Sequence, residues 1–255
     1  MSLFFNKIEY TSEEKKRMEA KYWKGPTDHS KPIVKKSDIR INNWNIFFLR
    51  TRFNENGLTN KVILNIGGGS GKEAEFLLAH GAKAVVLIDI APEQLSSARV
   101  RIEQHNLENL ELILCDSENL GIKEKSCDIG LIFMALHHFP NHKNAVNELC
   151  RTSKNVIIID IMNCGLTKLL NRFGLFLKEG PLLINRVKEG QIQEILRDNN
   201  FPYTIHYYFV PPYYGNNRIL FAGVCSTEKI INFLISKNRR LARFFGNIAI
   251  IEGTE

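Results

Sequence analysis

The chain has 255 residues, 34 of them Lys or Arg against 27 Asp or Glu, and 44% of the sequence is hydrophobic. That length suffices for one large α/β domain with appendages and a substantial buried core. No uncharged apolar stretch reaches the roughly 18–20 residues that span a bilayer, and the opening MSLFFNKIEYTSEEKK lacks the order of a secretory leader, so a cytoplasmic protein is expected.

Residues 1–60 carry 12 basic and 7 acidic side chains and read as helical pieces around a loop. Ser12–Trp23 begins S-E-E, with Ser12 as N-cap and acids in the first turn. Gly25-Pro26 ends it. Ser37–Phe53 is expected as a second helix with Ile41, Trp44, Phe47 and Phe48 on its apolar face.

Lys61–Asp89 organises everything that follows. Val62–Ile66 is a short apolar run fit for a buried strand, and Gly67, Gly68, Gly69, Ser70 and Gly71 interrupt it. Lys72–His80 has helical spacing, Gly81 stops it, and Ala84–Ile88 is a second strand ending on Asp89. Strand, glycine turn, helix, strand and terminal acid form a βαβ unit suited to a nucleoside. The turn brings backbone N–H groups close, and the acid accepts from ribose hydroxyls. A dinucleotide loop, G-x-G-x-x-G, would need a small residue at Lys72. Read as G-x-G-x-G, Gly67, Gly69 and Gly71 all fit.

Beyond Asp89, Pro92 starts a helix with Leu95, Ala98 and Ile102 at helical spacing. Leu110–Cys115 reads as the third strand, stopping at Asp116-Ser117, and Ile129–Met134 as the fourth, followed by Ala135-Leu136-His137-His138-Phe139-Pro140. In an open parallel sheet, ligands sit beyond the carboxyl ends of the strands, where both loops lie. Ala145–Arg151 and Asn155–Asp160 give a helix and a fifth strand, and 163–187 is an apolar, basic insertion. Lys188–Asn199 is an amphipathic helix, and Thr204–Val210 and Arg218–Cys225 are expected as the last two strands. Val210-Pro211-Pro212-Tyr213 is a turn between them. The five cysteines, Cys115, Cys127, Cys150, Cys164 and Cys225, show no C-x-x-C spacing, which disfavours a zinc site and a disulfide framework. No metal is expected.

The G-x-G-x-G turn, CDSENL, KSCDIGLIF, the L-H-H segment and NELCRTSKNVIIIDIMN together resemble the class I S-adenosylmethionine-dependent methyltransferases, in their quinone-biosynthesis-like "type 11" branch. The resemblance covers about residues 60–225. It implies an α/β, Rossmann-like, doubly wound, seven-stranded and mostly parallel sheet, here with an N-terminal helical cap (1–60), a core (61–225, with 163–187 as an apolar lid) and a basic amphipathic helical tail (226–255). It implies S-adenosyl-L-methionine as cofactor, held by Asn65, Gly67, Gly68, Gly69, Gly71, Asp89, Ile90, Asp116, Ser117 and Met134. Asn65 stands where the family usually carries Asp or Glu. His137 or His138 is placed to take a proton from an acceptor hydroxyl.

The acceptor is expected to be a small, apolar molecule, methylated on oxygen before nitrogen or carbon. Residues 61–225 balance 17 basic against 17 acidic residues, which disfavours nucleic acid. Two alternatives stand beside this reading. One is an RNA methyltransferase using the basic flanks, and the other is a cofactor- or partner-binding protein without turnover. In the tail, Ile231, Leu234, Leu241, Phe244 and Ile248 could share a helical face among Lys229, Lys237, Arg239, Arg240 and Arg243, which suggests weak peripheral contact with a membrane.

Overall fold

The computed structural model describes residues 11, 13–14, 16–17, 36–53, 57–172, 187–210 and 218–255. Its frame is a seven-stranded sheet made of β1 (Val62–Ile66), β2 (Ala84–Asp89), β3 (Leu110–Leu114), β4 (Cys127–Phe133), β5 (Ser153–Ile161), β6 (Tyr203–Tyr208) and β7 (Ile248–Thr254), in the order β3-β2-β1-β4-β5-β7-β6. β1 to β5 are mutually parallel, and β7 runs antiparallel to both β5 and β6. The sheet reverses direction of winding at β1 and β4, so a crevice opens at their carboxyl ends.

Both faces of the sheet are covered. Alternate residues along each strand point to opposite faces, and here both sets are apolar, as expected of a sheet buried on two sides. One face packs Leu64, Ile66, Ile132, Ile158 and Ile251 beneath α4 (His142–Thr152) and α6 (Glu189–Asp198), whose contributions include Val146, Leu149, Ile192 and Leu196. The other packs Ile63, Leu87, Leu131, Ile159 and Ile250 beneath α1 (Lys36–Arg52), α2 (Lys72–Ala79) and α3 (Pro92–His105), through Phe48, Leu77 and Ala98. The helix expected over 37–53 is α1, with Phe48 fully buried. At the N-terminus the capping residue is Thr11 rather than Ser12. Its hydroxyl accepts from Glu14 N at 3.2 Å while the Glu14 carboxylate accepts from Thr11 N at 2.8 Å, a reciprocal capping box.

The C-terminal third departs from the expectation. Arg218–Cys225, expected as the seventh strand, is the start of α7 (Arg218–Lys237), and the short helix α8 (Arg239–Phe245) follows. The last strand lies in the stretch expected as a helical tail. Ile248, expected on a helical face, opens β7, and its strand fills the slot between β5 and β6. Both stretches are apolar runs of similar length, and periodicity alone does not separate a short buried strand from a helix turn. Pairing decides: Ile161 and Tyr208 both meet Ile248 across the ladders.

Of the insertion at 163–187, α5 (Gly165–Arg172) and Val187 are described, and Phe173, Leu177 and Lys178 lie outside the described residues. So do Pro211, Pro212 and Tyr213. Among the described residues no helix is long and apolar enough to cross a membrane.

β7 is an interior strand, so its loss strips one partner from β5 and the sole partner from β6. A chain ending at Thr227 is expected to lose cooperative unfolding and collect in the insoluble fraction, as read by circular dichroism and sedimentation, whereas a dispensable tail would leave both unchanged.

Candidate active site

The glycine turn is folded tightly against the end of β2. Gly67 N and Gly68 N both donate to the Ile88 carbonyl, at 2.8 and 3.1 Å. Gly67, Gly69 and Gly71 have φ of +66°, +52° and +80°, in the left-handed region that glycine enters without penalty. The four glycines divide by task. Gly67 and Gly69 line a cavity of about 170 Å³ at the carboxyl ends of β1, β2 and β4. Gly68 and Gly71 serve packing: a Cβ on Gly68 would lie 2.6 Å from Leu87, and one on Gly71 would lie 3.3 Å from Ala98 of α3.

Asp89 closes the turn from the other side. One carboxylate oxygen accepts from Gly69 N and the other from Ala91 N, each at 2.9 Å. Burial pushes this carboxyl above its ordinary range, against the pull of the Ala91, Gly69 and Ile90 N–H groups. Each oxygen keeps lone-pair capacity for a ligand hydroxyl.

Asp116 sits after β3, where its Oδ1 accepts from Glu118 N at 3.0 Å. Its Oδ2 meets Lys16 Nζ at 2.7 Å, and the same ammonium reaches Glu118 at 3.0 Å. Burial opposes the charge on Lys16, but the hydrogen bonds to Asp116 and Glu118 outweigh it and hold the ammonium above its usual pKa. Sequence reading missed Lys16 and Glu118. A lysine in a helical turn carries no local signal that it will face a carboxylate 100 residues away.

The two neighbouring histidines have different fates. They lie in one turn of 3₁₀ helix, Leu136–His138, where successive side chains point about 120° apart. His138 lines the cavity with Met134, Ala135, Phe139 and Pro140. His137 turns inward and is 5% exposed, and its Nδ1 lies 2.5 Å from an oxygen of the fully buried Asp160 at the end of β5. Asp160 also accepts from the backbone N–H of His137 at 3.2 Å, so this pair ties the loop after β4 to β5.

Among the expected cofactor residues, the cavity gathers Gly67, Gly69, Asp89, Ile90, Asp116, Ser117 and Met134, and it adds Ile88, Gln94, Cys115 and Lys16. Asn65, Gly68, Gly71 and His137 stand behind this lining. Asn65 is 1% exposed, and its Nδ2 would lie 2.7 Å from a Cβ on Gly68.

Replacing His137 by Ala would take the imidazole from the buried Asp160 carboxylate and leave it the backbone N–H groups of residue 137 and Ile161. A loss of about 3 kcal/mol in unfolding free energy is expected, with His137→Asn, which keeps an N–H donor, recovering part of it. Equal stability of the Ala variant and the native chain in urea titration would refute this assignment.

The site agrees with what comparison of the chain shows. Residues 64–156 match the family model described as a methyltransferase domain. No curated protein matches the sequence. Among solved structures, magnesium protoporphyrin IX methyltransferase (ChlM) of Synechocystis PCC 6803 with bound S-adenosylhomocysteine superposes with a TM-score of 0.63 at 17% identity, covering 94% of this chain and 100% of that one. The geranyl diphosphate C-methyltransferase of Streptomyces coelicolor A3(2) gives 0.62 at 12% identity, covering 94% and 97%. The YcgJ protein of Bacillus subtilis gives 0.61 at 18%, covering 84% and 99%. At these identities the likeness is one of fold.

The lining suits a cationic nucleoside ligand. Asp89, Asp116 and Glu118 line a cleft together with Lys16, which pairs with the last two; the remaining walls are largely apolar, and glycine backbone gives close approach at one end. S-adenosylmethionine carries a ribose diol, an adenine and a positive sulfonium and ammonium, which fit those acceptors. Residues 64–156 thus match a methyltransferase domain, on a fold shared with methyltransferases solved with S-adenosylmethionine and S-adenosylhomocysteine, and the acceptors of the cleft fit that methyl donor.

Proposed function

We propose that this domain methylates a small, largely apolar acceptor on oxygen, with His138 receiving the acceptor's proton. The observation that carries this reading is the lining of the cavity beyond β4: one imidazole, from His138, set among Met134, Ala135, Phe139 and Pro140. Such walls exclude water and favour an apolar acceptor, and the histidine is the titratable group within them.

When bound, S-adenosylmethionine supplies an electrophilic methyl group on a sulfonium. The chain's own residues do the rest. Asp89 would hold the ribose hydroxyls, the Gly67–Gly69 backbone would receive the amino-acid end, and Asp116 with Ser117 would receive the adenine. Asn65 and Gly68 support that turn from behind. Alignment of acceptor and methyl would contribute most of the rate. As the carbon–oxygen bond formed and the methyl carbon–sulfur bond broke, with S-adenosylhomocysteine as leaving group, the imidazole of His138 would accept the hydroxyl proton.

A small acceptor is also supported by where the basic residues go. Lys16 is held by Asp116 and Glu118, Arg52 by Glu252 and Arg243 by Glu189. Those three charges are matched inside the protein and are not offered to a phosphate backbone.

Two outcomes test the assignments. Asp89 must be ionised to accept from both hydroxyls, and burial has raised its carboxyl pKa. Cofactor affinity should therefore be constant at neutral pH and fall as pH drops through that raised value, with proton uptake by the free protein. Calorimetry across this acid range should show the dependence, and Asp89→Asn should bind more weakly with a flat profile. For His138, replacement by Ala should lower kcat by about 100-fold and remove the acid limb of the pH–rate profile, while cofactor affinity stays within twofold. Unchanged turnover would leave alignment alone as the mechanism.

A further inference from the structure

We propose that the outward face of α7 docks the protein onto an anionic membrane surface. α7 is apolar on two opposite sides. Its inner side, with Ile231 and Ile235, packs on Phe209 and α8. Polar bonds fix the rotation of the helix about its axis. Trp44 Nε1 donates to the Glu228 carboxylate at 3.0 Å, and Asn232 both accepts from Phe209 N at 2.9 Å and donates to its carbonyl at 2.8 Å. With the helix pinned in this way, Ile230, Phe233 and Leu234 are held outward, 62%, 66% and 45% exposed. Their i, i+3, i+4 spacing makes them one patch. Phe233 lies opposite Ile231 on the helix, and Leu234, one turn on from Ile231, sits at the margin between the two apolar sides.

The charge around the patch has one sign. Lys229, Lys237, Arg239 and Arg240 are exposed and make no ion pair with a described residue. The acid of this segment, Glu228, is 8% exposed and turned inward to Trp44. Arg243 is the exception among the cations, being paired with Glu189 at 3.0 Å. Three large apolar side chains, with Lys229 and Lys237 on the same helix and Arg239 and Arg240 just beyond its end, are complementary to a bilayer surface with anionic headgroups. There the side chains enter the acyl boundary while the cations remain at headgroup level. A second copy of this chain is a poor occupant, because a two-fold interface would set like charges against one another. The segment also belongs to the active edge of the molecule. It leaves the sheet after Tyr208 and rejoins it at Ile248, two residues that pair with each other and, through Ile161, stand at the same edge as the cavity. Docking does not depend on the identity of the acceptor.

The test is flotation of the full chain with vesicles of phosphatidylcholine alone or mixed with phosphatidylglycerol. Association with the mixed vesicles at low salt, absent with phosphatidylcholine and lost as salt shortens the screening length, is expected. Phe233→Asp should abolish it. Lys237→Gln and Arg240→Gln should each weaken it about fivefold. Calorimetric cofactor affinity equal to that of the native chain identifies each variant as folded, since none of these residues lines the cavity. No association with anionic vesicles at low salt would overturn the proposal. So would association that Phe233→Asp leaves intact, or a dimer that Phe233→Asp splits in the absence of any vesicle binding.

Discussion

The carboxylate of Asp89 is the joint on which the site depends. It lies at the end of β2 and accepts from the turn after β1 and from the start of α3, so one side chain ties three segments together. Left-handed glycines make this geometry reachable, and the two bonds from Gly67 N and Gly68 N to the Ile88 carbonyl set the turn against the strand. The same carboxylate is raised in pKa by burial. A ligand that donates to it therefore restores the solvation that folding removed.

A second joint holds the other half of the cavity. His137 and Asp160 form a buried polar pair between the ends of β4 and β5, and losing either side chain would remove a hydrogen-bond partner from the other in the interior. The pair positions the turn that carries His138. The two imidazoles pack against each other, ring centroids 4.1 Å apart, with His137 turned to Asp160 and His138 at the cavity wall.

The cavity also depends on distant sequence. Lys16 spans from the N-terminal segment to Asp116 and Glu118, whose side chain is 6% exposed, so the first helical turn is fastened to the rim of the nucleoside site. At the opposite end of the chain, β7 completes the sheet between β5 and β6. The residues that line the cavity all lie between Gly67 and Pro140, apart from Lys16.

Residues 61–161 were legible in the sequence because their signals are local. The run Val62–Ile66, the glycines, the spacing of α2 and the acid at Asp89 sit within one βαβ unit, where strand length and turn chemistry dictate both the structure and the direction of the ligand. Asp116 and the L-H-H segment follow from the rule that strand ends face the crevice. Tertiary structure decided the rest. Which histidine enters the cavity depends on the finding of Asp160 by His137, 23 residues away. Which glycines line the cavity and which stand against Leu87 or Ala98 depends on helix packing. Arg218–Cys225 and Ile248–Thr254 are apolar runs of similar length, yet one is helix and the other strand. An apolar run buries itself equally well in either form, and only the open edges of β5 and β6, which need a partner for their N–H and C=O groups, choose between them.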